Sequence, residues 1–454
     1  MIRKNYHISN FTSKFPISNR TGIFICALCS RIAFICLLSC PLNGLQAQLS
    51  LSSCIRNRTE FRDGQGSLPD SSDKPALFVN QRTRLALDYY DPKFLVSITI
   101  QDARVWGETE PKKDNGSLDL FEAWIKYYFS DKLALKFGRQ RLIYDDQRLL
   151  AESNWNNKGA SHDVAVLQYE NDDKQTDCHL GMGINNLNED RFLSDYSLDY
   201  YKYLSFLWLH KKLSGKLDIS MIDILDANQK PAIKDIIYAR NTAGTNVNFK
   251  QGKIAAGASF YIQHGSLKTG QKVLSHFYAA NFSWDILRNT CIKLGYDHYS
   301  GTDLSDSTRT GNSSFSKLYG TNHRFLGYMD YFGKDIASEN NGAGINNINI
   351  RIENAVTKNI KSQLTWHWFA LDKEYLSPKD KVDKYLGSEI DLMLTYKTGQ
   401  NISVQAGYSF MLPHSTLEIM SEIGEGKSRF AQFGWLQVQF TPTFYSKTNK
   451  LNQT

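Results

Sequence analysis

From residue 50 onward, apolar and polar residues alternate with a period of two, in one segment after another. Between Asn401 and Phe410, the residues Ile402, Val404, Ala406, Tyr408 and Phe410 fall on one face. Asn401, Ser403, Gln405, Gly407 and Ser409 fall on the other. Residues 345–353 set Ile348, Ile350 and Ile352 against Asn347, Asn349, Arg351 and Glu353. Residues 385–396 set Leu386, Ile390, Leu392, Leu394 and Tyr396 against Glu389, Asp391 and Thr395. Successive side chains of a strand point to opposite faces, so each segment reads as a β-strand with one apolar and one polar face. The segments run to about 10–13 residues, against about 5–6 for the usual globular strand.

The connections alternate in length. Short turns fall at Asp91-Pro92, Ser130-Asp131, Asp172–Gln175, Leu213–Gly215, Gln251-Gly252, Leu287–Thr290, Thr357–Asn359 and Thr398–Gln400. Long polar connections fall near 63–75, 106–117, 140–161, 188–200, 226–235, 265–272, 301–344, 372–384 and 412–427. Eight turns and nine loops join eighteen strands, or sixteen if two weak strands fail. The expected fold class is all-β, a transmembrane antiparallel β-barrel with short periplasmic turns and long extracellular loops. A secreted sandwich would alternate as well, but its strands would be shorter and its connections would not alternate. Tyr89-Tyr90, Tyr127-Tyr128-Phe129, Trp366 and Trp368 lie near strand ends, where membrane interfaces favour aromatic rings. Leu318–Phe332 is strand-like but lies within the longest connection, and is read as loop structure folding over or into the lumen.

Mean hydropathy is −0.41, and no run of about 20 clean apolar residues offers a helical span. A barrel needs none, since each spanning strand is half polar. Residues 1–47 carry five basic and no acidic residues, an apolar run Ile32–Leu38, and Leu45-Gln-Ala47 as a cleavage site. They read as a signal peptide, with lipoprotein processing at Cys40 as the alternative. The expected organisation is a signal peptide over 1–47, a barrel over 48–445 and a tail over 446–454. Without its leader the chain's formal charge falls by five, from +7 to +2, which removes the case for nucleic acid. Cys54, Cys178 and Cys291 remain, without the spacing of a metal site or a disulfide framework.

In mid-bilayer, an Arg or Lys on the lipid face costs about 2–4 kcal/mol. Charges in mid-strand are therefore assigned to the lumen. They are Arg56, Arg58, Arg82, Arg84, Arg240 and Arg351, with Glu60, Asp88, Glu122, Glu389 and Asp391. Asn80-x-Arg82-x-Arg84 puts two guanidiniums on one wall, which suits anionic cargo. The competing role is bracing the barrel against luminal acids. His367 faces inward as a structural residue. Asp145-Asp146 reads as salt-bridged or solvated, with a cation site as the alternative. No nucleophile elbow, zinc-protease motif or phosphate loop is found, and no cofactor or metal is expected.

One stretch stands apart. Phe137-Gly-Arg-Gln140, Tyr144-Asp-Asp-Gln-Arg-Leu149 and Asn154-Trp-Asn-Asn-Lys-Gly159 together resemble the motif run of the alginate export family. Asn80–Arg84 and Phe433-Gly-Trp435 look like further family features, and the resemblance spans about 48–445. It implies an eighteen-stranded outer-membrane barrel that passes an anionic polysaccharide through a positively charged constriction. Arg82, Arg84, Arg139, Arg141 and Arg148 match its luminal pattern. Gly159-Ala-Ser-His-Asp163 departs from the family, which continues with Gly-Arg-x-Phe-Asp. The expected function is an outer-membrane channel for anionic poly- or oligosaccharide. A general anion-selective porin and, further off, a barrel enzyme are the alternatives. The partners implied are outer-membrane lipid and lipopolysaccharide, anionic saccharide cargo and the barrel-assembly machinery, for a protein acting as a monomer. Strict alternation from Leu133, Leu135 and Phe137 would carry Arg139 and Arg141 to the lipid face. Either the strand has reached its rim there, or Gly138 supplies a bulge that turns them inward, with Asp145 and Asp146 free to pair with Arg139, Arg141 or Arg148.

Overall fold

The computed structural model describes residues 48–446, apart from 114–115, 172–174, 190, 193–195, 197–199, 232, 304–309, 322, 333–341 and 376–381. The expected signal peptide and all but the first residue of the expected tail lie outside the described residues. The strands are β1 (Gln48–Asp63), β2 (Ala76–Tyr90), β3 (Phe94–Val105), β4 (Leu118–Tyr128), β5 (Leu133–Gln140) and β6 (His162–Glu170). Next come β7 (Thr176–Ile184), β8 (Tyr203–Ser214), β9 (Leu217–Lys230), β10 (Ile233–Gln251), β11 (Ile254–Ser266) and β12 (Lys272–Leu287). The last are β13 (Thr290–Tyr299), β14 (Ile345–Ala355), β15 (Ile360–Leu371), β16 (Tyr385–Thr398), β17 (Ile402–Pro413), β18 (Ala431–Phe440) and β19 (Thr443–Ser446). One short helix, α1 (Ser415–Met420), lies between β17 and β18.

Each strand pairs antiparallel with its neighbours in chain order. β1 pairs with β2 on one side and β18 on the other, which closes the sheet. β19 continues β18 beyond a break at Thr441-Pro442 and pairs with the start of β1. The result is a closed barrel of eighteen strands. Closure leaves no unpaired edge, the condition for backbone to cross a bilayer as sheet.

The alternation read from sequence becomes two faces. Ile348, Ile350 and Ile352 point outward and are about 40% exposed, while Asn347, on the opposite face of the same strand, is fully buried. Leu392, Leu394, Leu436 and Phe440 are likewise outward. This apolar exposure circles the barrel, too extensive for a soluble protein and suited to lipid. Seven of the eight short turns lie where expected; residues 172–174 of the eighth, Asp172–Gln175, lie outside the described residues.

Two expectations are corrected. The long connection near 226–235 is mostly strand, because β9 runs to Lys230 and β10 starts at Ile233. Asp226 there pairs with Arg240 across the ladder, so its polar residues extend a hairpin rather than form a loop. Leu386 does not share the outward face of β16. A register shift beside Gly387, whose φ is +136°, turns it inward and buries it.

The lumen is filled by two connections. One joins β5 to β6 (141–161) and the other joins β13 to β14 (300–344). Leu149 and Leu150 of the first and Phe315, Leu326, Met329 and Phe332 of the second are buried against inward Phe206, Phe277, Phe369 and Phe433. The two loops also bind each other. Tyr319 donates its amide to Leu149 and accepts from Ala151, and Thr321 donates to Gln147. The expectation that Leu318–Phe332 folds into the lumen therefore agrees with the structure.

Candidate functional site

β1 and β2 carry the arginine wall. Arg56 is paired directly opposite Arg82, and Cys54 opposite Arg84. Like charges placed opposite each other destabilise a ladder, so these groups need acceptors. The acceptors come from the inward loop. Arg56 donates to the carbonyls of Asn154 (2.6 Å) and Asn156 (3.1 Å), and Arg58 to that of Trp155 (2.8 Å). Arg82 reaches the Asn154 carbonyl (3.3 Å) and its side-chain Oδ1 (2.9 Å). Arg84 holds Gln101 (2.7 Å) and the Lys158 carbonyl (3.0 Å), with its guanidinium 3.4 Å from the centre of the Phe121 ring.

This close approach explains a motif glycine. A Cβ at Gly159 would lie 2.7 Å from Arg84 Nη2 and 3.1 Å from Phe121, at a φ of +76°. The conformation and the space both call for glycine.

Only Arg58 of the four meets an acid. It pairs with Glu60 (2.6 Å), which is fully buried and also binds Arg62 (2.5 Å) and Asn80 (2.7 Å). Arg56, Arg82 and Arg84 form no ion pair with a described residue. The Nε atoms of Arg56 and Arg82 are buried without a hydrogen-bond partner in the protein.

Above this wall runs a stack of flat groups. Arg58 lies 3.8 Å over Trp155, Trp155 lies 3.8 Å from His323 at an interplanar angle of 11°, and His323 lies 4.7 Å from Tyr328. His323 Nδ1 is held by Asp330 at 2.8 Å, and Trp435 closes on Trp155 edge-on. Two cavities meet at this stack. The one toward the long loops has about 760 Å³ and is lined by Arg58, Arg62, Arg104, Trp155 and Lys158. The one toward the short turns has about 440 Å³ and is lined by Arg56, Asn154, Arg324, Lys397 and Gln437. Trp155, Thr321 and His323 border both.

The other expected luminal charges divide. Arg148 is buried and tied to Asp146 (2.8 Å), Asp297 (2.5 Å) and Tyr299. Its burial opposes the charge, but Asp297, Tyr299 and Asp146 together outweigh this and raise the guanidinium above its ordinary value. From Asp297 the network runs through Asn347 to His367 and Asp391, across β13 to β16. Arg141 pairs with Glu122 and Glu152, Arg240 with Asp226, and Arg351 with the Thr365 hydroxyl at 3.2 Å. Glu389 is fully buried and accepts the Met329 amide at 2.8 Å, which fastens the 300–344 loop. Asp88 stands half-buried near the short-turn end, apart from this centre.

Of the two alternatives for Arg139 the structure takes the strand end and not the bulge, against the luminal place the resemblance implied, and Asp145 corrects the pairing expected of it. Arg139 lies opposite Asp163 in unshifted register and shares the outward face of Phe137, where it pairs with Asp163 at 3.0 Å. Gly138 has φ +115°, and a Cβ there would strike the Ala123 carbonyl at 2.3 Å, yet no residue is inserted and no bulge turns the arginine inward. Asp145 binds Trp208 and Ser220 rather than an arginine. Sequence reasoning also left His323, Tyr328 and Asp330 without a role, because their stack forms only once two distant loops meet in the lumen.

Five of the six non-glycine residues with positive φ among the described residues are Asp145, Gln147, Ser153, Leu318 and Asp330, all in the two inward loops. Such conformations cost about 1–3 kcal/mol each and persist where surrounding contacts hold them. Among the described residues, no group of three His, Cys, Asp or Glu could hold a metal ion.

Solved structures share this architecture. OccK9 (OpdG) of Pseudomonas aeruginosa aligns over 87% of this chain and 98% of its own, at 12% identity and a TM-score of 0.60. OccAB1 of Acinetobacter baumannii aligns over 87% and 97%, at 12% identity and a TM-score of 0.60. The outer membrane protein opdK of Pseudomonas aeruginosa aligns over 88% and 100%, at 12% identity and a TM-score of 0.58. At these identities the likeness is one of fold. No curated protein matches the sequence. The family described as alginate export matches residues 47–418. With that match covering most of the chain, on a closed barrel of eighteen strands, the protein belongs to the alginate export family of outer-membrane channels.

Proposed function

We propose that the barrel passes anionic saccharide, alginate-like in its carboxylate chemistry, through the arginine-walled lumen without an energy source. The observation that carries this reading is the excess of positive charge at the meeting of the two cavities. Arg56 lines the cavity toward the short turns and Arg84 a neighbouring one, Arg82 is buried between them on the wall, and among the described residues all three have neutral partners only. Charge of one sign within low-dielectric walls concentrates the opposite sign of solute. A guanidinium binds a carboxylate bidentately, which a uronate residue can use. Arg62, Arg104 and Lys158 on one side, and Arg324 and Lys397 on the other, extend the positive path. The two loops that fill the lumen favour a second reading, a pore for small anions.

The test is the reversal potential of single channels in a planar bilayer across a potassium chloride gradient. The expected result is anion selectivity, reduced by Arg82→Ala with Arg84→Ala. A cation-selective pore, or selectivity indifferent to those substitutions, contradicts the proposal.

A further inference from the structure

The acceptors on the arginine wall are an unusual set for four buried or half-buried cations. Every contact made by Arg56 goes to the 154–157 segment, to three main-chain carbonyls and the side-chain oxygen of Asn157. Arg82 uses the same Asn154 carbonyl and the Asn154 side chain. The nearby carboxylates are engaged elsewhere, Glu60 with Arg58 and Arg62, and Glu122 and Glu152 with Arg141. A neutral carbonyl is a weaker partner for guanidinium than a carboxylate. The unpartnered Nε of Arg56 and of Arg82 shows that the carbonyls leave donor capacity unused. The same segment carries Trp155, the ring that separates the two cavities. It begins at Ser153, whose φ is +47°.

We infer that Arg56, Arg82 and Arg84 form a carboxylate site that the carbonyls of residues 154–158 occupy in the closed channel, and that a carboxylate-bearing cargo opens the channel by displacing them. The inference rests on the proposed reading of the channel as an anion pathway. It adds that the cargo is also the opening signal. An incoming carboxylate exchanges with the carbonyl of Asn154 from the 440 Å³ cavity, which Arg56 and Asn154 line, and with that of Lys158 from the 760 Å³ cavity, which Lys158 lines; the segment swings off the wall, and Trp155 leaves His323. A neutral sugar of equal size has no such claim on the guanidiniums and leaves the stack closed.

The experiment records single channels of the intact protein in planar bilayers, with trigalacturonate or maltotriose added at equal concentration. The wild type is expected to show an open probability about tenfold higher in trigalacturonate than in maltotriose, as the exchange of a neutral for a charged partner would give. Asn154→Asp places a tethered carboxylate at the position now 2.9 Å from Arg82, and the response to trigalacturonate should then be lost. Arg56→Gln with Arg82→Gln should open the channel in either sugar. If that double variant does not fold, Asn154→Asp, which keeps every cation, still decides the matter. An anion-selective wild-type pore whose open probability is the same in both sugars overturns this inference and leaves the channel reading standing. A response retained in full by Asn154→Asp also overturns it. A wild-type pore without anion selectivity overturns both.

Discussion

Arg56 and Arg82 face each other across neighbouring strands, and both donate to one oxygen, the main-chain carbonyl of Asn154, at 2.6 and 3.3 Å. The barrel wall thus presents two like charges side by side, and a loop crosses the lumen to quench them. Repulsion between the pair and attraction to the loop are opposite faces of one arrangement. Removing one member tells them apart.

Arg56→Ala relieves the repulsion and removes the Arg56 hydrogen bonds to Asn154 and Asn156, leaving Arg82 alone on Asn154. Hydrogen bonds to a charged group contribute about 1.5–3 kcal/mol, so the loop's docking should weaken by about that much. The eighteen-strand ladder does not depend on it. Limited proteolysis of the folded protein should show faster cleavage within 141–161, with the thermal midpoint of the barrel little changed.

Trp155→Ala removes the ring shared by the two cavities. Lost with it are the stack on His323 and the cover on Arg58, each about 1–2 kcal/mol when desolvated. Single-channel conductance should rise, and brief closures should become fewer.

Much of this was legible in the order of residues. The alternation of Asn401–Phe410 and of Ile348, Ile350 and Ile352 marks which side chains meet lipid, because a charge there is costly. That cost also sent Arg56, Arg58, Arg82 and Arg84 inward correctly. The luminal place that the family resemblance implied fails at Arg139, which takes the rim alternative: it lies on the outward face at the end of β5, where Asp163 pairs with it. What the luminal arginines hold was not legible. Arg56 finds its partners 98 to 101 residues away, mostly on main-chain carbonyls, which every residue has and no sequence pattern marks. Leu386 was misplaced for a local reason, since the shift beside Gly387 breaks the period of two. Asp226–Asp235 was misplaced because polar residues suit a solvated hairpin as well as a loop.

Glu389→Ala should loosen the longer inward loop. The carboxylate is fully buried and accepts the Met329 amide, which would be left without a partner at a cost of about 1–3 kcal/mol. Hydrogen exchange at Met329 should accelerate, and cleavage within 300–344 should quicken. Glu389→Gln, which keeps an acceptor oxygen, should recover most of the protection.

The outer loop between β17 and β18 should respond to acid. Burial alone would raise the Glu418 carboxyl, but the Ser428 hydroxyl and the amides of Gly426 and Ser428 hold it below the ordinary carboxylate range. A carboxyl depressed in the folded state adds stability above its unfolded value, and that stability is lost as pH falls through the folded value. Protection of 414–430 from proteases active in acid should therefore fall below about pH 4, and Glu418→Gln should make it low and independent of pH.

The claim that the lumen favours anionic saccharide is tested most directly by efflux from liposomes. Vesicles carrying the protein are loaded with trigalacturonate and maltotriose, two trimers that differ chiefly in carboxylates, and both are assayed outside over time. The account predicts that the charged trimer leaves faster, and that Arg82→Ala with Arg84→Ala brings the two rates together. Faster efflux of maltotriose, or a preference unchanged by losing both arginines, would contradict it.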